Sequence, residues 1–258
     1  MREDSIREDA VATDTASKAK KALIVTTVSG FVPQFEMNNV RILQGMGYEM
    51  HYASNFRNPS YGSDNSRLNG TGIVRHQVDF ARSPFQVKEN GRAYHQLKQL
   101  LKEQQFELLH CHTPVGAALS RIAARIYQRR GRKKARRLKV IYTAHGFHFY
   151  KGAPFKYWLL FYPVERWLAR FTDVLITINE EDYERANKFC RHKKTKVKHI
   201  AGIGIDTFYF SGKELPEGER EAIRDAVRKR LYVKEGELLF LSVGELIPRK
   251  NHAAAIQA

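Results

Sequence analysis

Three stretches carry side chains or backbone suited to chemistry in places where a sheet protein binds ligands. His145-Gly146 follows an apolar run, Lys139–Ala144. His110 and His112 alternate in another, Phe106–His112. Gly30 follows the first apolar run, Ala22–Thr27. An imidazole titrates near neutrality and can donate, accept or ligate a metal. A glycine lets a ligand approach the backbone because it has no Cβ. By position alone His145 is either a site residue or an ordinary loop histidine closing a strand. Gly30 is either a ligand-approach glycine or a turn glycine. The histidine pair, two apart on a strand, points to one face. It supplies two metal ligands with no third in view, so we expect no metal.

Other chemistries are excluded by what is missing. No GxxxxGK[ST] loop occurs, and no GxGxxG follows the first run, so ATPase and dinucleotide readings drop out. GIGID (Gly202–Asp206) is too short and misplaced for either. No GxSxG nucleophile elbow is present. The two cysteines, Cys111 and Cys190, have no metal spacing and form no disulfide framework, which fits packing roles in a reducing compartment.

The elements that must position these residues alternate. Ala22–Thr27 is a short continuous apolar run, as expected for a strand buried on both faces; Tyr48–Ser54, Ile73–Phe80, Phe106–His112, Lys139–Ala144, Asp173–Ile178 and Thr195–Ile200 read as further strands. Between them lie helical patterns. One runs from about Gln34 to Met46, with Met37, Val40, Leu43 and Met46 on one face and Gly47 as its left-handed stop. A second spans Val87–Glu103, and a third starts at Thr113-Pro114, an N-cap followed by proline at the first turn. The aromatic stretch Phe155–Phe171 is helical, and Pro163 should kink or divide it. Asn179 caps a helix whose first turn holds Glu180, Glu181 and Asp182. This alternation predicts an α/β fold with a doubly wound, mostly parallel, Rossmann-like sheet, whose ligands sit beyond the carboxyl ends of the strands. Gly30 and His145 both lie there.

We divide the chain into a disordered leader at 1–20, a sheet domain at 21–210, a linker and charged helix at 211–236, and the truncated start of a second domain at 237–258. That start contains a buried-type strand, Leu238–Val243, and a helix from His252. The leader lacks the apolar core of a secretory signal. The longest strongly apolar run, Tyr157–Val164, is far short of the ~20 residues that span a bilayer.

The 258 residues carry a formal charge of +17, which favours an anionic partner. The run Arg129–Lys139 holds eight Lys or Arg in eleven residues. It reads as a solvated loop, as a contact for anionic membrane or lipid diphosphate, or, on charge alone, as a nucleic-acid contact. No nucleic-acid motif accompanies it, so no specific nucleic-acid partner is expected. Phe155, Trp158, Phe161 and Tyr162, with Lys151 and Lys156, are either core packing or an interfacial surface.

Five stretches together resemble the GT-B glycosyltransferases of family 4, in particular enzymes of bacterial capsule and exopolysaccharide assembly. They are HCHTPVGAALSRIAAR (His110–Arg125), YTAHGFHFYKGAP (Tyr142–Pro154), YPVERWLARFTDVLITINEEDYERA (Tyr162–Ala186), HIAGIGIDTFYF (His199–Phe210) and FLSVGELIPRKNH (Phe240–His252). The resemblance implies two Rossmann-like domains, the first holding the acceptor and the second a nucleotide-sugar. It implies transfer with retention, no metal or other cofactor, a UDP-linked donor and a lipid-linked glycan acceptor. The expected location is cytoplasmic, peripheral on the inner membrane face. It further implies that His145 contacts the donor sugar and that Gly30, Gly244 and Lys250 serve the donor diphosphate. Gly146, Arg249 and His112 are further candidates. The chain departs from the family in carrying Glu245 where many members have an arginine, and in lacking the paired-glutamate segment. The expectation that follows is weak acceptor binding without transfer for residues 1–258 alone.

Overall fold

The computed structural model describes residues 19–60, 65–130, 138–205, 207–216, 218–246 and 250–257. Residues 1–18 of the expected leader, 131–137 of the basic run and Arg249 lie outside them. The chain forms two compact units, Met1–Ile203 and Gly204–Ala258, so the division falls within GIGID.

The first unit is a seven-stranded parallel sheet in the order β3-β2-β1-β4-β5-β6-β7. Its strands are β1 (Lys20–Val28), β2 (Tyr48–Asn55), β3 (Val74–Gln77), β4 (Leu108–Cys111), β5 (Lys139–Ala144), β6 (Val174–Thr177) and β7 (Lys196–His199). The first strand shows why the apolar runs are continuous. Leu23 and Val25 join a core cluster with Leu97, Leu101 and Phe149, while Ala22 and Ile24 join another with Val40, Met50 and Tyr52. Alternate side chains of one strand thus feed different clusters, and both faces demand apolar residues. The strand order reverses between β1 and β4, where a doubly wound sheet opens its ligand crevice.

Helices α1 (Met37–Gly45), α2 (Val87–Gln104), α3 (Pro114–Arg130), α4 (Phe155–Leu168) and α5 (Glu180–Cys190) connect the strands. Gly47 ends the first as expected: φ is +81° and its N–H donates to Gln44 O at 2.9 Å. Met46, expected on the apolar face, is 61% exposed, because the helix ends before it turns inward. A π-helical turn, Val32–Glu36, precedes α1 where the sequence pattern placed ordinary helix. Helix α4 runs undivided through Pro163. Pro163 is exposed, as is Leu159 four residues earlier, and a solvent-facing turn tolerates the lost hydrogen bond. Cys111 and Cys190 are buried free thiols, as expected.

The second unit contains α6 (Thr207–Phe210), α7 (Glu219–Arg230) and α8 (His252–Gln257). The expected strand Leu238–Val243 is not formed; the run has no regular secondary structure and is exposed. A strand is completed by its ladder partners, and the described residues of this unit supply none.

Candidate active site

The site begins where β1 stops pairing regularly. Its register with β2 shifts between Val25 and Val28, a bulge of the kind that re-aims a strand end. The buried Tyr52 hydroxyl holds the emerging chain, 3.0 Å from both Val28 O and Ser29 O. At Gly30 an added Cβ would stand 1.8 Å from Ser60 O. The close approach that requires a glycine is therefore made by the protein's own loop. Phe31 and the π-helical turn follow, and that turn delivers Glu36 into the interior with 2% exposure.

Strand β4 contributes the histidine pair. His110 and His112 face the same way, ring centres 4.1 Å apart. The His112 backbone N–H donates to Val25 O, tying it across the reversal point to β1. Thr113 stands at the expected N-cap position, its C=O accepting from the Ala117 N–H at 2.9 Å. It has φ +62°, and its hydroxyl lies 2.6 Å from that of Thr27 on β1. Left-handed backbone at a β-branched residue is strained and clusters at functional positions. Helix α3 still begins at Pro114.

Strand β5 delivers the half-buried His145, whose loop is held by the start of α5. Asn179 caps that helix, accepting from Asp182 N at 2.8 Å. The Asp182 carboxylate in turn accepts the Phe147 N–H at 3.0 Å. Glu181 accepts the Lys151 N–H, and Arg185 donates to Phe149 O at 2.7 Å. The acidic first turn thus serves the loop as well as the helix dipole. Gly146 takes φ +140°, a backbone that side chains rarely tolerate, with open space around it.

Three loops therefore converge. His112 Nδ1 lies 3.1 Å from His145 Nε2 and 3.5 Å from Glu36 Oε1. The Phe31 ring centre lies 5.0 Å from that of His145 and 5.4 Å from that of His112. Burial lowers the pKa of His145 to about 4. Burial, with the nearby His145, takes His110 to about 4. Burial, with His110 and His145, takes His112 well below the usual histidine range. The site imidazoles are neutral at pH 7. Glu36 moves the other way: burial raises it to about 7 against the opposing hydrogen bond from Asn39.

Glu36 supplies the third ligand the sequence reading did not find: its carboxylate and one nitrogen each from His110 and His112 lie within 4.8 Å of one another. The same three residues also make contacts within the protein. His110 Nε2 pairs with Thr143 Oγ1 at 2.9 Å, Glu36 accepts from Asn39 at 2.6 Å, and His112 Nδ1 faces His145. Hydrogen bonds thus tie all three residues to their neighbours. Two cavities flank the set. One of about 310 Å³ is lined by Glu36 and His110. Another of about 240 Å³ is walled by Gly146, Phe147, Pro114 and Val115, with Arg82 at its edge.

Of the expected site residues, the structure joins His112, His145 and Gly146 on neighbouring strand ends, with Gly30 on the β1 loop. Gly244 and Lys250 belong to the second unit. There a Cβ on Gly244 would meet Lys250 Cδ at 3.5 Å and His252 Nε2 at 3.3 Å, and Lys250 is exposed. Sequence reasoning missed Glu36 and the roles of Thr27, Thr113 and Asp182. Only Asp182 had a local signal, three residues after the capping Asn179.

The family model described as Glycosyltransferase Family 4 matches residues 37–207, a span that takes in β2 through β7 and the His145 loop. The chain belongs to glycosyltransferase family 4. It is 38% identical over 239 residues to a putative glycosyltransferase, EpsD, of Bacillus subtilis (strain 168), covering 93% of this chain and 57% of that protein. It is 30% identical over 155 residues to the UDP-Gal:alpha-D-GlcNAc-diphosphoundecaprenol alpha-1,3-galactosyltransferase of Escherichia coli, covering 60% of this chain and 36% of that one. The chain thus spans little more than half the length of the first relative and about a third of the second. Among solved structures it is similar to a glycosyltransferase from Rickettsia africae, with 15% identity, a TM-score of 0.48, and coverage of 84% of this chain and 51% of that one.

Proposed function

We propose that this family 4 glycosyltransferase moves a sugar from a UDP-linked donor to a lipid-linked glycan, with retention, in cell-surface polysaccharide assembly. The observation that carries the reading is the neutral, half-buried His145 at the carboxyl edge of the sheet, beside the open Gly146 and next to the β1–β4 reversal. The donor and acceptor classes are those in the name of the Escherichia coli relative.

In this reading His145 hydrogen-bonds the donor sugar while the glycosidic bond to the diphosphate breaks. The leaving diphosphate gains negative charge as it departs. Within the second unit, Lys250 and the backbone at Gly244 are the groups this reading assigns to that charge. Preorganised cations and N–H groups aimed at developing charge lower the barrier more than they tighten substrate binding. No metal is required for these roles.

The acceptor's lipid brings the protein to a membrane face. Among the described residues no helix is long and apolar enough to cross a membrane. Helix α4 instead exposes Phe155, Leu159, Leu160, Val164 and Trp167 beside the exposed cations Lys156 and Arg166. That combination suits an anionic interface. Trp158, Phe161 and Tyr162 of the same helix pack against the core.

The test is transfer of labelled sugar from UDP-galactose, UDP-glucose and UDP-N-acetylglucosamine to a polyprenyl-diphosphate-linked sugar by the full product of the source gene. One donor should be used, and His145→Ala should lower its transfer about 100-fold while the protein stays folded. Absence of transfer from every nucleotide-sugar, or full activity in His145→Ala, refutes the reading.

A further inference from the structure

His112 is completely buried, and its two ring nitrogens have different surroundings. Nδ1 faces His145 Nε2 at 3.1 Å and Glu36 Oε1 at 3.5 Å. Nε2 is buried with no hydrogen-bond partner. A neutral imidazole carries one N–H, and the hydrogen bonds of one nitrogen decide what the other presents. Two proton arrangements satisfy the contact between His112 and His145.

In the first, His112 carries its proton on Nδ1. The N–H then points at two acceptors, His145 Nε2 and the Glu36 carboxyl oxygen, and the buried Nε2 is a bare lone pair. In the second, His145 donates from Nε2, and His112 must hold its proton on Nε2. A buried N–H would then have no acceptor, which costs about 1–3 kcal/mol, and orphaned buried N–H groups are rarer than under-satisfied acceptors. The Glu36 oxygen would also face a lone pair. The first arrangement is favoured on both counts. It leaves His145 with its proton on Nδ1, the nitrogen turned away from His112.

We propose that His112 and Glu36 are positioning residues that hold His145 as its Nδ1–H tautomer, so that His145 meets its ligand as a hydrogen-bond donor to oxygen. The identity of that oxygen, a donor-sugar hydroxyl, rests on the proposed function; the tautomer does not. The rings of Phe31 and His145 meet in a T-shaped arrangement, 77° apart in plane, which restricts the plane in which the N–H is offered.

Long-range ¹H–¹⁵N correlation spectra of the uniformly ¹⁵N-labelled 258-residue chain, without substrates at pH 7.5, read the tautomer directly. His145 should show a protonated Nδ1 and a bare Nε2. His112→Phe keeps the packing ring but removes both nitrogens, and the Nε2–H form of His145 should become the major one. His112→Asn, whose amide N–H can replace Nδ1–H, should restore the wild-type pattern. Glu36→Gln should raise the Nε2–H population of His145. A wild-type His145 protonated on Nε2 overturns the proposal without any variant, which covers the case that His112→Phe does not fold. A folded His112→Phe with the wild-type tautomer overturns it equally. Because no sugar is present, the expected tautomer in a protein that transfers no sugar would sink the functional reading and leave this one standing.

Discussion

Arg121 on α3 meets both oxygens of Glu165 on α4, at 2.8 and 3.1 Å, while its guanidinium lies 4.1 Å from the ring centre of Tyr142 on β5. Arg121 is 1% exposed, and it also donates from Nε to Ala117 O. One buried cation therefore joins two helices and a strand just behind the His145 loop. Its guanidinium suits the task because its planar fork matches a carboxylate bidentately and stacks on an aromatic face.

Removing one partner strands the other charge in the interior. Arg121→Met should destabilise the protein by about 3–5 kcal/mol, and Arg121→Met with Glu165→Leu should recover most of the loss. Urea melts of the three proteins check this. Additive losses in the double variant would show that the two residues act separately.

Asp182 joins α5 to the loop that carries His145. In Asp182→Ala the Phe147 N–H loses its acceptor, a cost of about 1–3 kcal/mol when buried. Hydrogen exchange at Phe147 should accelerate well beyond the change at core strand amides such as Leu109. Transfer should fall more than stability. Unchanged exchange at Phe147 would mean the loop is held by other contacts.

Acid should destabilise the fold through its buried histidines. His51 and His76 stack at the β2–β3 edge with ring centres 5.1 Å apart, beside Glu49, Lys21 and Glu103. Burial lowers His51 despite Glu49, and burial, then His51 and Lys21, lower His76 to about 4. Above about pH 6.5 these rings are neutral in both folded and unfolded chains, so their contribution is fully present. As pH falls from 6.5 to 4 the unfolded chain takes up protons first, and stability is lost. Glu36, raised to about 7, acts in the opposite sense between about 4.5 and 7. It is one group against His51, His76, His110, His112 and His145, so the net effect is loss on acidification. Thermal melts from pH 7.5 to 4.5 should show it, and His76→Gln should flatten the slope. A melting temperature that rises on acidification contradicts the assignment.

Membrane binding should need both the apolar face of α4 and anionic lipid. Sedimentation with anionic phospholipid vesicles should weaken steeply with salt, since each basic residue near the surface contributes about 1 kcal/mol. Phe155→Glu with Leu159→Glu should abolish binding without unfolding, because both side chains are exposed, at 79% and 70%. Equal binding to neutral and anionic vesicles would remove the electrostatic component.

Much of the fold was written locally. A strand buried on both faces must be apolar throughout, so β1 was legible as a continuous run; the polar, exposed edge strands β3 and β7 were placed by the alternation with helical patterns, which implied a parallel sheet. Gly47 and Asn179 marked helix ends through their own backbone and side-chain chemistry. The misread run Leu238–Val243 has the same local signature, but a strand is completed by neighbours that a single run does not contain.

The sequence alone placed His145, Gly146 and Gly30 at the carboxyl edge of the sheet, because strand direction and loop position follow from element order. Only the tertiary structure brought Glu36, His112 and His145 into one cluster. They come from three different strand–helix connections, and their contacts depend on the strand order, which reverses between β1 and β4. The tertiary structure likewise showed that the space beside Gly30 is filled by Ser60, and that Asp182 holds the loop its helix faces. Side-chain type states what chemistry a residue can do; the environment that packing builds around it decides its charge, its proton and its partner.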